Sequence, residues 1–110
     1  MQGPVEISFR NCQPSNEIRA EIDNEVRRLE RFYDRITSIT VTVTTPNLLH
    51  HREGERFEIH IHIALPQHKD VVVTKTRDDV HQREHISAAI KDAFAAAARQ
   101  IEDTVQQMRK

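Results

Sequence analysis

Residues 56–65 read R-F-E-I-H-I-H-I-A-L, and this stretch decides the fold. Every second position from Phe57 to Leu65 is apolar, and three of the four positions between them are polar. Successive side chains of a strand point to opposite faces, so this period of two is typical of a strand with one buried face. The stretch therefore predicts a sheet that buries its isoleucines and exposes the face with His60 and His62.

Two further stretches alternate in the same way, and they predict strands around residues 5–9 and 39–43. A turn at 66–70 then joins the opening stretch to V-V-V-T-K-T at 71–76, whose facing is ambiguous because three successive residues are apolar. Residues 77–84 are rich in charge and are expected to form a loop. The chain therefore contains four candidate strands, and the last two form a hairpin.

Two other stretches carry apolar residues at every third or fourth position, which is the period of an amphipathic helix. Ser15 precedes the first and suits an N-cap, because its hydroxyl can accept a hydrogen bond from a first-turn amide. The apolar face of the first helix is expected to contain Ile18, Ile22, Val26, Leu29 and Phe32. That of the second is expected to contain Ile86, Ile90, Phe94, Ala97, Ile101, Val105 and Met108.

The order of these elements is β-α-β-β-β-α, which predicts the α+β fold class. Strands with one apolar face and two amphipathic helices suit a four-stranded sheet that carries both helices on one face. At 110 residues the chain is long enough for one modest core, so residues 1–110 are expected to form a single domain.

The composition indicates a cytoplasmic protein. Apolar residues make up 37% of the chain and charged residues 30%, as in soluble globular proteins. The N-terminus lacks the pattern of a signal peptide, and no apolar run approaches the length of a membrane span. Cys12 is the single cysteine, which excludes an internal disulfide.

The positive charge is concentrated in arginine, with twelve arginines and four lysines in a chain of net charge −1. Arg27, Arg28, Arg31 and Arg35 lie close together. Arg27, Arg31 and Arg35 follow at intervals of four, which predicts a stack of three arginines along one helix face. Guanidinium groups bind phosphate through paired hydrogen bonds, which favours a nucleic-acid surface. The same residues also suit a solvated helix face that is relieved by nearby acids and by the helix dipole. Both interpretations stay open at this point.

His60 and His62 are separated by roughly 6.5–7 Å along one strand face, which could admit a shared metal ion. A zinc site needs at least a third protein ligand, and nothing in the sequence brings His50 or His51 to the pair. A solvated strand face is the favoured interpretation, and an RNA-facing surface is the lesser alternative. Because the sequence shows no Gly-rich phosphate loop or catalytic cluster, we expect no enzyme activity, no metal and no cofactor.

Four short pieces of sequence carry a family resemblance. They are P-V-E-I-S-F-R at 4–10, L-E-R-F-Y-D-R-I at 29–36, A-A-I at 88–90 and R-Q-I at 99–101. In this order and spacing they resemble the ribosome hibernation promoting factor and ribosome-associated inhibitor family of sigma-factor modulation proteins. The resemblance implies a fold similar to double-stranded RNA-binding domains. It also implies binding to the small ribosomal subunit and its rRNA, in the channel of messenger and transfer RNA, to silence idle ribosomes under stress.

The resemblance also implies roles for individual residues. Arg28 and Arg31 match basic positions around the family's L-E-K motif, and Arg99 matches a basic residue of the last helix. The basic stretch at 75–83 leads into that helix. The full set of predicted RNA-binding residues is Arg27, Arg28, Arg31, Arg35, Lys75, Arg77, Arg83 and Arg99.

Two positions depart from the family pattern. Ser87 stands where an aromatic residue often precedes A-I, and the mid-helix lysine is replaced within residues 95–98, which are all alanine. The chain ends with this helix, so we expect a short form without the domain that pairs ribosomes.

These observations favour a non-enzymatic, ribosome-associated inhibitor of translation. We expect it to bind no small-molecule substrate and no membrane, and to be a monomer when it is not bound to the ribosome. The first alternative is a general RNA-binding stress protein on the same fold. The second is a metal-binding module centred on His60 and His62.

Overall fold

The computed structural model describes residues 5–10, 15–44, 55–67, 69–79 and 82–108. The predicted order β-α-β-β-β-α is confirmed. The strands are β1 (Val5–Arg10), β2 (Ser38–Thr44), β3 (Glu55–Ala64) and β4 (Val71–Asp79). The helices are α1 (Asn16–Phe32) and α2 (Gln82–Met108). Cys12, His50 and His51 lie outside the described residues.

The strands form one sheet in the order β1-β2-β3-β4, in which β1 and β2 are parallel and the other neighbours are antiparallel. A parallel pair needs a long crossover connection, and α1 provides it between β1 and β2. The turn between β3 and β4 includes Pro66 and Gln67, as the sequence predicts. β3 therefore has a neighbour on both sides, and Ile61 lies between Val41 of β2 and Val73 of β4.

One face of the sheet and one side of each helix form a single hydrophobic core. Ile59, Ile61 and Ile63 of β3 are completely buried in it, together with Ile22 of α1 and Ile90 of α2. Both helices bury their apolar sides against the same sheet face, so both lie on that face, as predicted. Burying one such side chain contributes about 1.5–3 kcal/mol to stability. The alternation in β3 therefore supplies the centre of the core.

α1 begins and ends at identifiable backbone contacts. The hydroxyl oxygen of Ser15 accepts a hydrogen bond of 3.3 Å from the backbone N–H of Ile18, which confirms the predicted N-cap. At the other end, the N–H of Tyr33 donates to the carbonyl of Leu29 at 2.8 Å. Tyr33 itself is extended, so the helix stops at Phe32.

Residues 77–79 belong to a strand and residues 82–84 to a helix, so the prediction of a loop is wrong for these described parts of 77–84. β4 continues to Asp79 because the first half of β3 offers it a partner, with Glu55 opposite Asp79. Charged residues are common on edge strands, where they discourage pairing with another chain. α2 begins soon afterwards, at Gln82.

The register of β4 with β3 decides which of its three valines face the core. Val73 lies opposite Ile61 and is buried, and so is Val71. Val72 points to the other face and is 48% exposed. The apolar run V-V-V is therefore divided between the two faces of the sheet.

α2 is the longest element, with 27 residues. Its predicted apolar face is confirmed by the burial of Ile90, Phe94, Ala97 and Ile101, while the side chains at the two ends of the prediction lie outside the described part. Among the helices as described, neither is long and apolar enough to cross a membrane.

Phe32 is the exception on the apolar face of α1. Ile22, Val26 and Leu29 are buried, but Phe32 is 50% exposed, so its predicted place in the core is wrong. The residues of α2 beside it include Ala95 and Ala98. Their single methyl groups are too small to cover an aromatic ring.

Candidate nucleic-acid interface

The second half of α1 and the turn after it carry four exposed arginines, Arg27, Arg28, Arg31 and Arg35, which we call the arginine cluster. Arg27 and Arg31 are one helical turn apart and lie on the same side of α1. Arg31 is in the last turn, where the helix dipole favours positive charge. Arg35 lies beyond the end of α1, so the expected stack of three arginines along one helix face is wrong.

Arg28 lies beside a nearly buried carboxylate. Its Nη1 atom is 3.7 Å from Oε2 of Glu25, and the two side chains are 74% and 10% exposed. This separation is too long for a hydrogen bond, and the guanidinium group is open to water, so the ion pair contributes little to stability. The contact therefore leaves the guanidinium group accessible to another anion.

A groove of about 290 Å³ lies between the end of α1 and the middle of α2, and we call it the interhelix groove. Its α1 side consists of Glu25, Arg28, Leu29 and Phe32. Its α2 side consists of Phe94, Ala95 and Ala98. Where the family resemblance leads us to expect a lysine, the alanine run thus supplies an uncharged wall.

α1 and α2 lie side by side and run in the same direction. The hydroxyl of Ser87 donates a hydrogen bond of 2.7 Å to Oε1 of Glu21, and further along both helices Ala98 and Phe32 line the same groove. Ser87, which replaces the expected aromatic residue, thus joins the two helices. Arg99 follows Ala98 and is exposed, so it lies at the same end of the helix pair as the arginine cluster.

The other predicted basic residues lie in a different part of the fold. Lys75 is exposed on β4, the edge strand opposite β1. α1 instead contacts β1, where the guanidinium of Arg19 is 5.4 Å from the centre of the Phe9 ring. Arg77 belongs to β4 and Arg83 to the first turn of α2, and their side chains are outside the described part. The structure therefore divides the predicted set into two groups.

The other face of the sheet is polar, and His60 and His62 lie on it as predicted. Nδ1 of His60 is 2.9 Å from Oγ1 of Thr74, and Nε2 of His62 is 2.7 Å from Oδ2 of Asp70. Each histidine thus has a hydrogen-bond partner on a hydrated surface. Within the described ranges, no three His, Cys, Asp or Glu side chains come close enough together to hold a metal ion.

We expect protein purified without an affinity tag to contain no stoichiometric zinc, because zinc sites need at least three protein ligands. The double variant His60→Ala with His62→Ala should match the parent in metal content and in affinity for ribosomal particles. Elemental analysis by mass spectrometry measures the first, and the parent protein in chelator is the control. Near-stoichiometric zinc, or unfolding in chelator, would contradict the expectation.

Two residues of this region escaped prediction from the sequence. The sequence does not single out Glu25, because a glutamate on an amphipathic helix is normally exposed. The spacing of Phe32 predicts a place in the core, and the structure places its side chain at the surface. An aromatic residue on one helix and an alanine run on the other are the signal of a groove between them. This signal can be interpreted only when it is known which parts of the two helices lie side by side.

The strand order and the two neighbouring helices define an α+β class with one mixed sheet covered on one face. A ribosomal subunit interface protein from Coxiella burnetii has a similar structure, with a TM-score of 0.70, 13% identity, and coverage of 97% of this chain and 99% of that chain. The Protein Y N-terminal domain of Thermus thermophilus has a TM-score of 0.67, 20% identity, and coverage of 94% and 98%. At these identities the likeness shows the fold alone.

The family model for Sigma 54 modulation protein / S30EA ribosomal protein matches residues 5–109. The chain therefore belongs to this family of ribosome-associated modulation proteins, and the resemblance carried by the sequence motifs is confirmed. No curated protein matches the sequence significantly.

Proposed function

We propose that this protein binds the small ribosomal subunit through its rRNA and holds idle ribosomes inactive under stress, without enzymatic activity. The observation that carries the proposal is the presence of the exposed arginine cluster in a member of this family. The protein of similar fold from Coxiella burnetii is described as a ribosomal subunit interface protein, which agrees with a ribosomal subunit as the partner. On this proposal the protein acts in the cytoplasm, where it binds ribosomes.

The arginine cluster suits contact with the rRNA backbone. A guanidinium group can donate two parallel hydrogen bonds to one phosphate, and the side chain of Arg28 is open to water at 74% exposure. Neutralised phosphates release counterions, so a local group of cations promotes binding even in a chain of net charge −1. The basic stretch at 75–83 would contact a separate part of the rRNA from the arginine cluster. It begins on β4, at one edge of the sheet, whereas α1 contacts β1 at the opposite edge.

Inhibition on this proposal is steric. A folded domain bound in the channel of messenger and transfer RNA excludes both ligands from the same space. The protein then needs no catalytic group, and its effect is reversed when it dissociates.

A second candidate is a general RNA-binding stress protein on the same fold. Exposed arginines beside a half-exposed aromatic ring also suit single-stranded RNA of any origin. The two candidates differ in whether the assembled ribosomal particle is the target.

Sucrose-gradient sedimentation of an extract from stationary-phase cells separates the two candidates. We expect the protein to migrate with ribosomal particles, and to follow the small subunit when a parallel extract is treated with EDTA to separate the subunits. Migration near the top of both gradients, or with RNA that lacks ribosomal proteins, would instead support the second candidate.

A further inference from the structure

We propose that the interhelix groove binds one unstacked nucleobase, with Phe32 stacking on the base and Glu25 accepting a hydrogen bond from its amino group. This inference rests on the proposed function and deepens it. The arginine cluster would contact phosphates, which carry no sequence information, whereas this groove would distinguish one base from another.

Phe32 is the first observation that points to a base. Among the described residues, the exposed large apolar side chains are Phe32 at 50% and Val72 at 48%. Val72 stands on the polar sheet face, but Phe32 stands at a groove of about 290 Å³, near the lower end of the range for small-ligand sites. Unstacked bases commonly stack on exposed aromatic rings.

The alanines on α2 leave room for the base. Ala95 and Ala98 present only methyl groups to the groove opposite Phe32. A lysine in this run would lay its long stem along the apolar surface and occupy the same space. The departure from the family pattern therefore exchanges a positive charge for an apolar slot.

Glu25 gives the slot a hydrogen-bond acceptor. Its side chain is only 10% exposed, it lines the groove, and its contact with Arg28 is too long for a hydrogen bond. Cytosine and adenine carry amino donors, and so does guanine. Uracil presents two carbonyl oxygens beside a single N–H, and a carboxylate repels those oxygens. The groove should therefore favour an amino-bearing base over uracil.

The charge at the rim favours a nucleotide over an apolar segment of a protein. Arg28 lines the groove, and two exposed arginines follow lining residues closely in sequence, Arg31 just before Phe32 and Arg99 just after Ala98. A nucleotide whose base enters the groove would direct its phosphate toward these guanidinium groups, which bind phosphate well. An apolar peptide side chain would offer them no complementary charge.

The first test measures affinity for purified small subunits with Phe32→Leu, which keeps an apolar side chain, and with Phe32→Tyr, which keeps the ring. We expect Phe32→Leu to weaken binding about tenfold and Phe32→Tyr to change it less than about twofold. Val72→Ala is the matched control, because it removes a similarly exposed apolar side chain elsewhere, and it should bind like the parent. Equal affinity of Phe32→Leu and the parent would overturn the inference.

The second test measures binding of this protein to single-stranded RNA in the absence of ribosomal proteins. We expect the parent to bind a cytidine hexamer more tightly than a uridine hexamer, and Glu25→Gln, checked for a parental melting temperature, to reduce this preference. Loss of the Phe32 ring should weaken binding to the cytidine hexamer as well. If Phe32→Leu weakens binding to intact subunits but not to RNA alone, the groove contacts a protein and the base site is wrong.

The two proposals fail in different ways. If the parent does not bind small subunits, the proposed function fails, and the hexamers alone decide whether the groove takes a base. If the parent binds small subunits and Phe32→Leu binds equally well, the function stands and the base site is wrong.

Discussion

Replacing Ile61 by alanine should lower the free energy of unfolding by about 2–5 kcal/mol. Ile61 is completely buried at the centre of the sheet, between Val41 and Val73. The deletion removes apolar contacts and leaves a cavity that paired strands on both sides cannot easily close. Urea denaturation measures the change as a shift of the midpoint at constant slope.

His62→Ala is the matched control, because His62 is adjacent in the same strand and faces the opposite side. Its side chain is 45% exposed, so its replacement should change the free energy of unfolding by about 0.5 kcal/mol or less. Similar costs at the two positions would contradict the assignment of buried and hydrated faces on β3.

Removing two charges from the arginine cluster should reduce the salt dependence of small-subunit binding by about one to two units of slope. The variant is Arg28→Gln with Arg31→Gln, in which the amide at position 28 still gives the carboxylate of Glu25 a polar neighbour. Each phosphate contact contributes a slope of about 0.7–0.9 in log affinity against log salt. Binding measured at several KCl concentrations gives this slope directly.

Arg10→Gln with Lys69→Gln is the control for net charge. Both residues are exposed and lie outside the arginine cluster, on β1 and in the turn before β4. This variant should keep the parental slope. A parental slope in the cluster variant would identify the cluster as an ordinary solvated helix face, and equal losses in both variants would show that only total charge matters.

The sheet could be predicted from the sequence because its signal is local. The alternation in β3 fixes its buried face, and the hydroxyl of Ser15 marks the start of α1 within a few residues of chain. The end of β4 could not be predicted in this way. The charges at 77–79 suggest a loop, and the extension of the strand depends on a partner more than twenty residues earlier in the chain.

The candidate site was only partly predictable for a similar reason. Exposed arginines can be identified from composition and helical position. The expected stack of three is wrong because α1 ends at Phe32, before Arg35. The interhelix groove cannot be predicted from the sequence, because it depends on which residues of α2 lie opposite Phe32 of α1. The spacing of Phe32 predicts on which side of α1 it lies. The exposure of its side chain results from the small residues Ala95 and Ala98 on α2.

The most direct test of the account is binding of the purified protein to separated small and large ribosomal subunits, measured in parallel at low salt. The account predicts saturable binding to small subunits, competition by messenger RNA, and no comparable binding to large subunits. Absence of binding, or equal affinity for both subunits without competition, would contradict the central claim that this protein acts in the RNA channel of the small subunit.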